Sequence, residues 1–182
     1  PPVNRRAIAA WCGYDWAISA FNTVIGTFVF SVYVAKGVAT DEVSGTAAWG
    51  QAMSFAGLAL LLLSPALGAV ADRAGPRKPW LAAMTGICVA ATLSLWWVRP
   101  DPADLWFALV MAGIATVAFE LAGVFYNAML AEVAPPSMLG RVSGWGWGVG
   151  YFGGLACLVT ALFAFIGDNS PIAAWLGTDN QE

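Results

Sequence analysis

The chain has 182 residues, 59% of them apolar and 10% charged, with a formal net charge of −3 and no histidine. Soluble domains carry about 25% charged residues, so a water-soluble globule is excluded as the expectation. The acidic excess is small and no basic face alternates with aromatics, which also argues against nucleic acid as a partner.

Roughly 20 helical residues cross a hydrocarbon layer, so long apolar runs count as spans. Five are predicted, at about 16–34, 48–71, 80–98, 105–130 and 142–166, and residues 167–182 read as a polar outer loop or tail. The runs are continuous rather than alternating, and a helix satisfies its own backbone in lipid. The expected fold class is therefore an all-α membrane protein with five transmembrane helices. The chain opens on Pro1 and Pro2 with no cleavable signal pattern after them, so it reads as trimmed or excised. Arg5, Arg6, Arg73, Arg77, Lys78 and Arg141 fall on one side, against Lys36 and Arg99 on the other. That bias predicts a cytoplasmic N-terminus. Trp96, Trp97 and Trp106 stand where an interfacial belt is expected.

In chain order, span 1 places Asp15, Ser19, Asn22 and Gly26 on one predicted helix face. Asp15 lies near the inner interface, within reach of Arg5, Arg6 or Arg141, which predicts a gating or packing ion pair. Between spans 2 and 3 comes GAVADRAGPRKPWL, with Gly68, Asp72, Arg73, Gly75, Arg77, Lys78 and Pro79. Gly68 permits close helix approach, Gly75 a tight reversal, and Pro79 suits a first helical turn. Span 3 carries only Thr85, Thr92 and Ser94 as polar residues and suits lipid on most sides.

Span 4 repeats the polar face with Thr116, Glu120, Gly123 and Asn127. Glu120 sits about ten residues from the inner end of the span, where an ionised carboxylate costs about 2.5 to 3.5 kcal/mol unless paired or hydrated. It could couple protons, bind a substrate amine, or sit protonated against a neighbouring helix. Asn22 and Asn127 could orient a substrate or bond helix to helix. The next loop holds Glu132, Pro135, Pro136 and Arg141, and there Arg141, placed just before span 5, could face the Asp72 cluster. Span 5 has Gly146, Gly150 and Gly154 at intervals of four, with Gly144 and Gly148 beside them, a stripe suited to close packing. Cys12, Cys88 and Cys157 are far apart in apolar runs and read as fillers.

The loop between spans 2 and 3 resembles, in residue type and spacing, the signature that joins helices 2 and 3 of the major facilitator superfamily. YDWAISAF (Tyr14 to Phe21), SPALGAVADRAGPRKPWL and YNAMLAEVAPPSMLGRVSGWGWGVGYFGG (Tyr126 to Gly154) resemble the autophagy-related vacuolar effluxer-like branch. The resemblance implies that these helices are most of one six-helix half, with the second half absent. It implies that helices 1 and 4 line a central cavity, and that Asp72, Arg73, Arg77, Lys78, Glu132 and Arg141 form an inner charge network that opens and closes. The antiporter signature of that superfamily is not matched, because Tyr151 replaces its proline and Gly153 comes one position early.

The function implied is a secondary transporter moving a small solute, with amino acids as the first substrate class. A coupling proton or cation, membrane lipid, and the missing C-terminal half or partner subunits are the expected partners. The expected membrane is the bacterial inner membrane, ahead of a vacuolar one. The other reading is a truncated facilitator-like subunit of a larger complex, favoured by an exposed glycine face. No metal or cofactor is expected, and no enzyme, because no nucleophile has a base nearby.

Overall fold

The computed structural model describes residues 4–72 and 76–166 of the chain. Five helices in it are long and apolar enough to cross a membrane: span 1 (Arg5–Val38), span 2 (Glu42–Val70), span 3 (Arg77–Trp97), span 4 (Pro102–Val133) and span 5 (Pro136–Ala164). No strand occurs among the described residues. Most helices run past the apolar cores visible in the sequence, because backbone bonding continues into the polar ends. Arg5 and Arg6 therefore form the first turn of span 1, and Arg141 lies inside the helix Leu139–Ala161 rather than in the loop before it. Arg73, Gly75 and the segment 167–182 lie outside the described residues.

Local chemistry fixes the helix ends. Asn4 caps span 1 by accepting the Ala7 amide at 3.2 Å. Asp41 stands just before span 2 and accepts the Ser44 amide at 2.9 Å and the Ser44 hydroxyl at 2.6 Å. These bonds hold its carboxyl below the usual carboxylate range. Between spans 3 and 4, Asp101 accepts the Ala103 amide at 2.8 Å and Asp104 the Arg99 amide at 3.0 Å, which closes a short turn. Gly45 makes the hairpin between spans 1 and 2 possible. A Cβ there would lie 2.8 Å from the backbone Cα and O of Ala35.

Span 4 is the hub. Spans 2 and 3 pack along it, and span 5 packs along span 1. Its buried face is a seam of small residues, Ala108, Ala112, Ala115, Ala118 and Ala122. In lipid, close approach of helices replaces the hydrophobic drive, so such a seam draws neighbours in. At the Arg99 end of the bundle, Phe30, Val34 and Val38 pack with Leu95, Val98, Leu109 and Ala112. At the Arg77 end, Ile8, Trp11, Cys12, Tyr126, Met129 and Val142 pack together. Trp96, Trp97 and Trp106 are exposed near the Arg99 end.

Candidate functional site

The Arg77 end is bolted by a reciprocal clasp between the first and fourth spans. The rings of Trp11 and Tyr126 stack with centroids 4.3 Å apart and planes 9° apart. Trp11 Nε1 donates to the Tyr126 carbonyl at 3.1 Å, and the Tyr126 hydroxyl donates to the Trp11 carbonyl at 3.2 Å. The hydroxyl groups of Tyr14 and Thr85 meet at 2.7 Å, tying span 1 to span 3 as well. Sequence reading did not single out this pair, because its members stand 115 residues apart. Aromatics carrying a polar tip near both helix ends were the available signal.

Above the clasp, span 1 departs from a simple helix. It is α-helical over Arg5–Phe21, π-helical over Asn22–Phe28, α-helical again over Phe30–Tyr33 and π-helical over Val34–Val38. The single polar face expected from Asp15, Ser19, Asn22 and Gly26 is thereby divided. Asp15 and Ser19 turn against span 5: a Cβ on Gly150 would lie 2.6 Å from Asp15 Oδ2 and 2.9 Å from Ser19 Oγ. Asn22 remains exposed, and Gly26 sits under its side chain, with Asn22 Oδ1 3.0 Å from where a Cβ would be.

The expected ion pair of Asp15 does not form. Arg5, Arg6 and Arg141 are all exposed, and the ion pairs among the described residues are Lys36–Glu42, Arg99–Asp104 and Arg77–Glu132. Asp15 is half-buried against Gly150 of the glycine seam, which turns it away from the arginines at the helix ends. The link between the two loops at this end of the bundle likewise comes from Arg77 and Glu132, with Arg141 outside that ion pair. Glu132 is 54% exposed, so the pair contributes about 0 to 1 kcal/mol. Asp72 and Lys78 are exposed, and Gly68 is half-buried.

The glycine stripe of span 5 is not an exposed face. Gly146 lies under the Trp11 ring, Gly150 under Asp15 and Ser19, Gly153 against Trp16 and Gly154 under Thr23. Span 1 covers these four, whereas Gly144 and Gly148 beside them stay exposed, so the exposed-face argument for a separate assembly subunit loses the residues at intervals of four on which it rested. Gly153, earlier noted only as a misplaced motif residue, belongs to the stripe.

On span 4, Thr116 turns toward span 2, with its hydroxyl 3.7 Å from Met53 Sδ. Glu120 and Asn127 are exposed, and Gly123 is half-buried. Phe21 and Phe119, the residues just before Asn22 and Glu120, meet with ring centroids 5.2 Å apart. Asn22 and Glu120 thus stand at one level of the bundle on neighbouring helices. The described Lys and Arg side chains all belong to the helix ends and connecting turns, which leaves Glu120 without an ion pair.

A groove of about 730 Å³ lies elsewhere, between spans 2, 3 and 4. It is lined by apolar side chains such as Phe55, Leu63, Ile87 and Ile114, with Gln51 as its one polar side chain. It offers no charge to hold a polar solute, and none of Asn22, Glu120 or Asn127 lines it. Among the described residues no cluster of acidic, cysteine or histidine side chains could hold a metal ion.

Comparison with known proteins agrees with this architecture. The family model "Major Facilitator Superfamily" matches residues 2–175. An uncharacterized MFS-type transporter of Bacillus subtilis (strain 168), YxiO, is 33% identical over 148 residues, covering 79% of this chain and 34% of that protein. The chain thus spans about a third of the length of this curated relative. No solved structure matches.

Proposed function

We propose a transport role on one premise: the chain belongs to the Major Facilitator Superfamily. It is an integral membrane chain of five apolar helices. In this reading it supplies most of the first half of a secondary transporter that moves a small solute by alternating access. The solute would bind between spans 1 and 4 and the matching helices of a second half. The observation that carries the reading is Glu120, a carboxylate near the middle of span 4, level with Asn22 and without an ion pair. Such a group is expensive in lipid and is retained where it faces a route.

Glu120 then binds the coupling proton or a cationic group of the solute, with Asn22 and Asn127 orienting it. Asp15 and Ser19, packed against Gly150, hold span 1 to span 5 beneath that site. Arg77 and Glu132 form the inner gate with Gly68, Asp72 and Lys78, and the family resemblance assigns Arg73, Gly75 and Arg141 to it as well. The N-terminus is cytoplasmic, in a bacterial inner membrane, as the distribution of Lys and Arg favours. The resemblance to vacuolar effluxers makes amino acids the first class to screen, with export as the direction.

The test uses the full-length polypeptide in proteoliposomes, with radiolabelled amino acids and amines and an imposed pH gradient. Glu120→Gln removes the pH dependence of transport while binding elsewhere in the protein persists. An unchanged pH profile in that variant eliminates the coupling role.

A further inference from the structure

We propose that residues Asn22–Phe28 of span 1 form a register hinge. By converting between π and α winding, they let the Arg99-end third of the helix, Phe30–Val38, move relative to the rest of the bundle.

Three independent observations converge on this segment. First, its backbone bonds skip one residue more than in an α-helix. The Val29 amide donates to the Val24 carbonyl at 3.1 Å, and the helix then breaks at Val29, with φ −110° and ψ −64°. A ring closed five residues back holds one surplus residue, which an α-helix must lose or pass along the chain.

Second, the two ends are packed into different clusters while the middle is held more lightly, with Ile25 against the Arg99-end cluster and Thr23 against Gly154. Ile8, Trp11 and Cys12 belong to the Arg77-end cluster, locked by the Trp11–Tyr126 clasp. Phe30, Val34 and Val38 belong to the Arg99-end cluster with Leu95, Val98 and Leu109. Between them, no residue of Asn22–Phe28 is buried. Sharp bends in helices fall at π segments such as this one.

Third, a ladder of hydroxyls stands by to satisfy carbonyls as the winding changes. Thr23 donates to the Ser19 carbonyl at 3.0 Å, Thr27 to the Asn22 carbonyl at 3.0 Å, and Ser31 to the Thr27 carbonyl at 2.7 Å. The Thr27 bond reaches five residues back, matching the π register, whereas those of Thr23 and Ser31 reach four. In lipid an unpaired carbonyl is costly, so side-chain donors of this kind lower the barrier between windings.

Loss of one surplus residue turns the flanking helix by about 100°. Asn22, at the first position of the segment, stays with the clasped part of the helix, where Phe21 meets Phe119, while the residues beyond it turn. A solute that touches Glu120 and those residues together favours one winding over the other; this last link rests on the transport reading, whereas the hinge itself does not.

The experiment uses the full-length protein in lipid nanodiscs, with native cysteines replaced and spin labels at Ala10 and Val32, on either side of the segment. Double electron–electron resonance reads their separation. The wild type gives two distances, and deletion of Ile25, which removes the surplus residue, leaves the fold intact and collapses them to one. Deletion of Ala17, in the α-helical part, destroys the fold because no surplus is available there. Should the Ile25 deletion not fold, Thr27→Val decides: a changed ratio of the two distances upholds the hinge. A single wild-type distance, two distances persisting in the Ile25 deletion, or a ratio unmoved by Thr27→Val overturns it. Transport can fail in all these variants without touching the result, so the hinge and the transport reading are separable.

Discussion

Substituting Gly153 tests whether span 1 and span 5 are in backbone contact. A Cβ at position 153 would lie 1.9 Å from Trp16 Cδ1 and 2.4 Å from the Trp16 carbonyl oxygen, where ordinary contact begins at 3.4 Å. The indole can rotate away, but the carbonyl belongs to the helix and cannot. Gly153→Ala therefore forces the two helices apart by about 1 Å locally, and overpacking of this kind costs about 1–3 kcal/mol. Alanine recovers up to about 1 kcal/mol through its better helix propensity. A net loss of about 1–2 kcal/mol is expected. Gly148→Ala is the control, since nothing lies within 4 Å of its Cβ position, and it should gain the propensity term alone. At roughly 2–4 °C per kcal/mol for a body of this size, the two variants should melt several degrees apart. Thermal unfolding of the full-length protein in detergent, followed by loss of the monodisperse chromatographic peak, reads the difference. Gly153→Ala and Gly148→Ala melting together would refute the close approach, and with it the account of why glycine occupies that face.

Tyr126→Phe keeps the stacked ring and the Trp11 indole bond but removes the hydroxyl that donates to the Trp11 carbonyl, so it should destabilise by about 0.5–1.5 kcal/mol in the same assay; no change would show that the hydroxyl adds nothing to the clasp. Ser44→Ala removes the hydroxyl's bond to the Asp41 carboxylate and leaves the amide's bond in place, so the Asp41 pKa should rise part of the way toward the ordinary carboxylate value in a carbon-detected NMR titration. The sign follows from the depressed value in the folded protein. The Asp41 cap stabilises at pH above the ordinary carboxylate range and is lost as pH falls through the lowered folded value, so Ser44→Ala should flatten that acid limb.

Run length was enough to read five helices from the residues, because nothing but a membrane explains apolar stretches of that size. Glu120 was equally legible, as an acid far from every cation in a greasy run. The packing partners were not. A glycine stripe announces that something comes close without saying what, and only the fold shows that Trp11, Asp15, Trp16, Ser19 and Thr23 fill it. The division of the span 1 polar face was hidden for another reason: spacing arguments assume one period, and a π segment changes the period without a distinctive residue to mark it. Arg77 finding Glu132 rather than Arg141 meeting Asp72 depended on a separation of 55 residues, which local reading cannot resolve.

Span 4 has 39% of its most apolar stretch buried, against 6% for spans 1 and 2 and 17% for spans 3 and 5. The ribosome makes it after spans 2 and 3, so those two helices enter the bilayer before their main partner exists. Until Leu105–Ala128 emerges, the surfaces of spans 2 and 3 meant for its alanine seam have only lipid to touch, and Trp11 has no Tyr126. Nascent chains halted before that point should be the ones that quality-control proteases recognise, and those halted after it should survive.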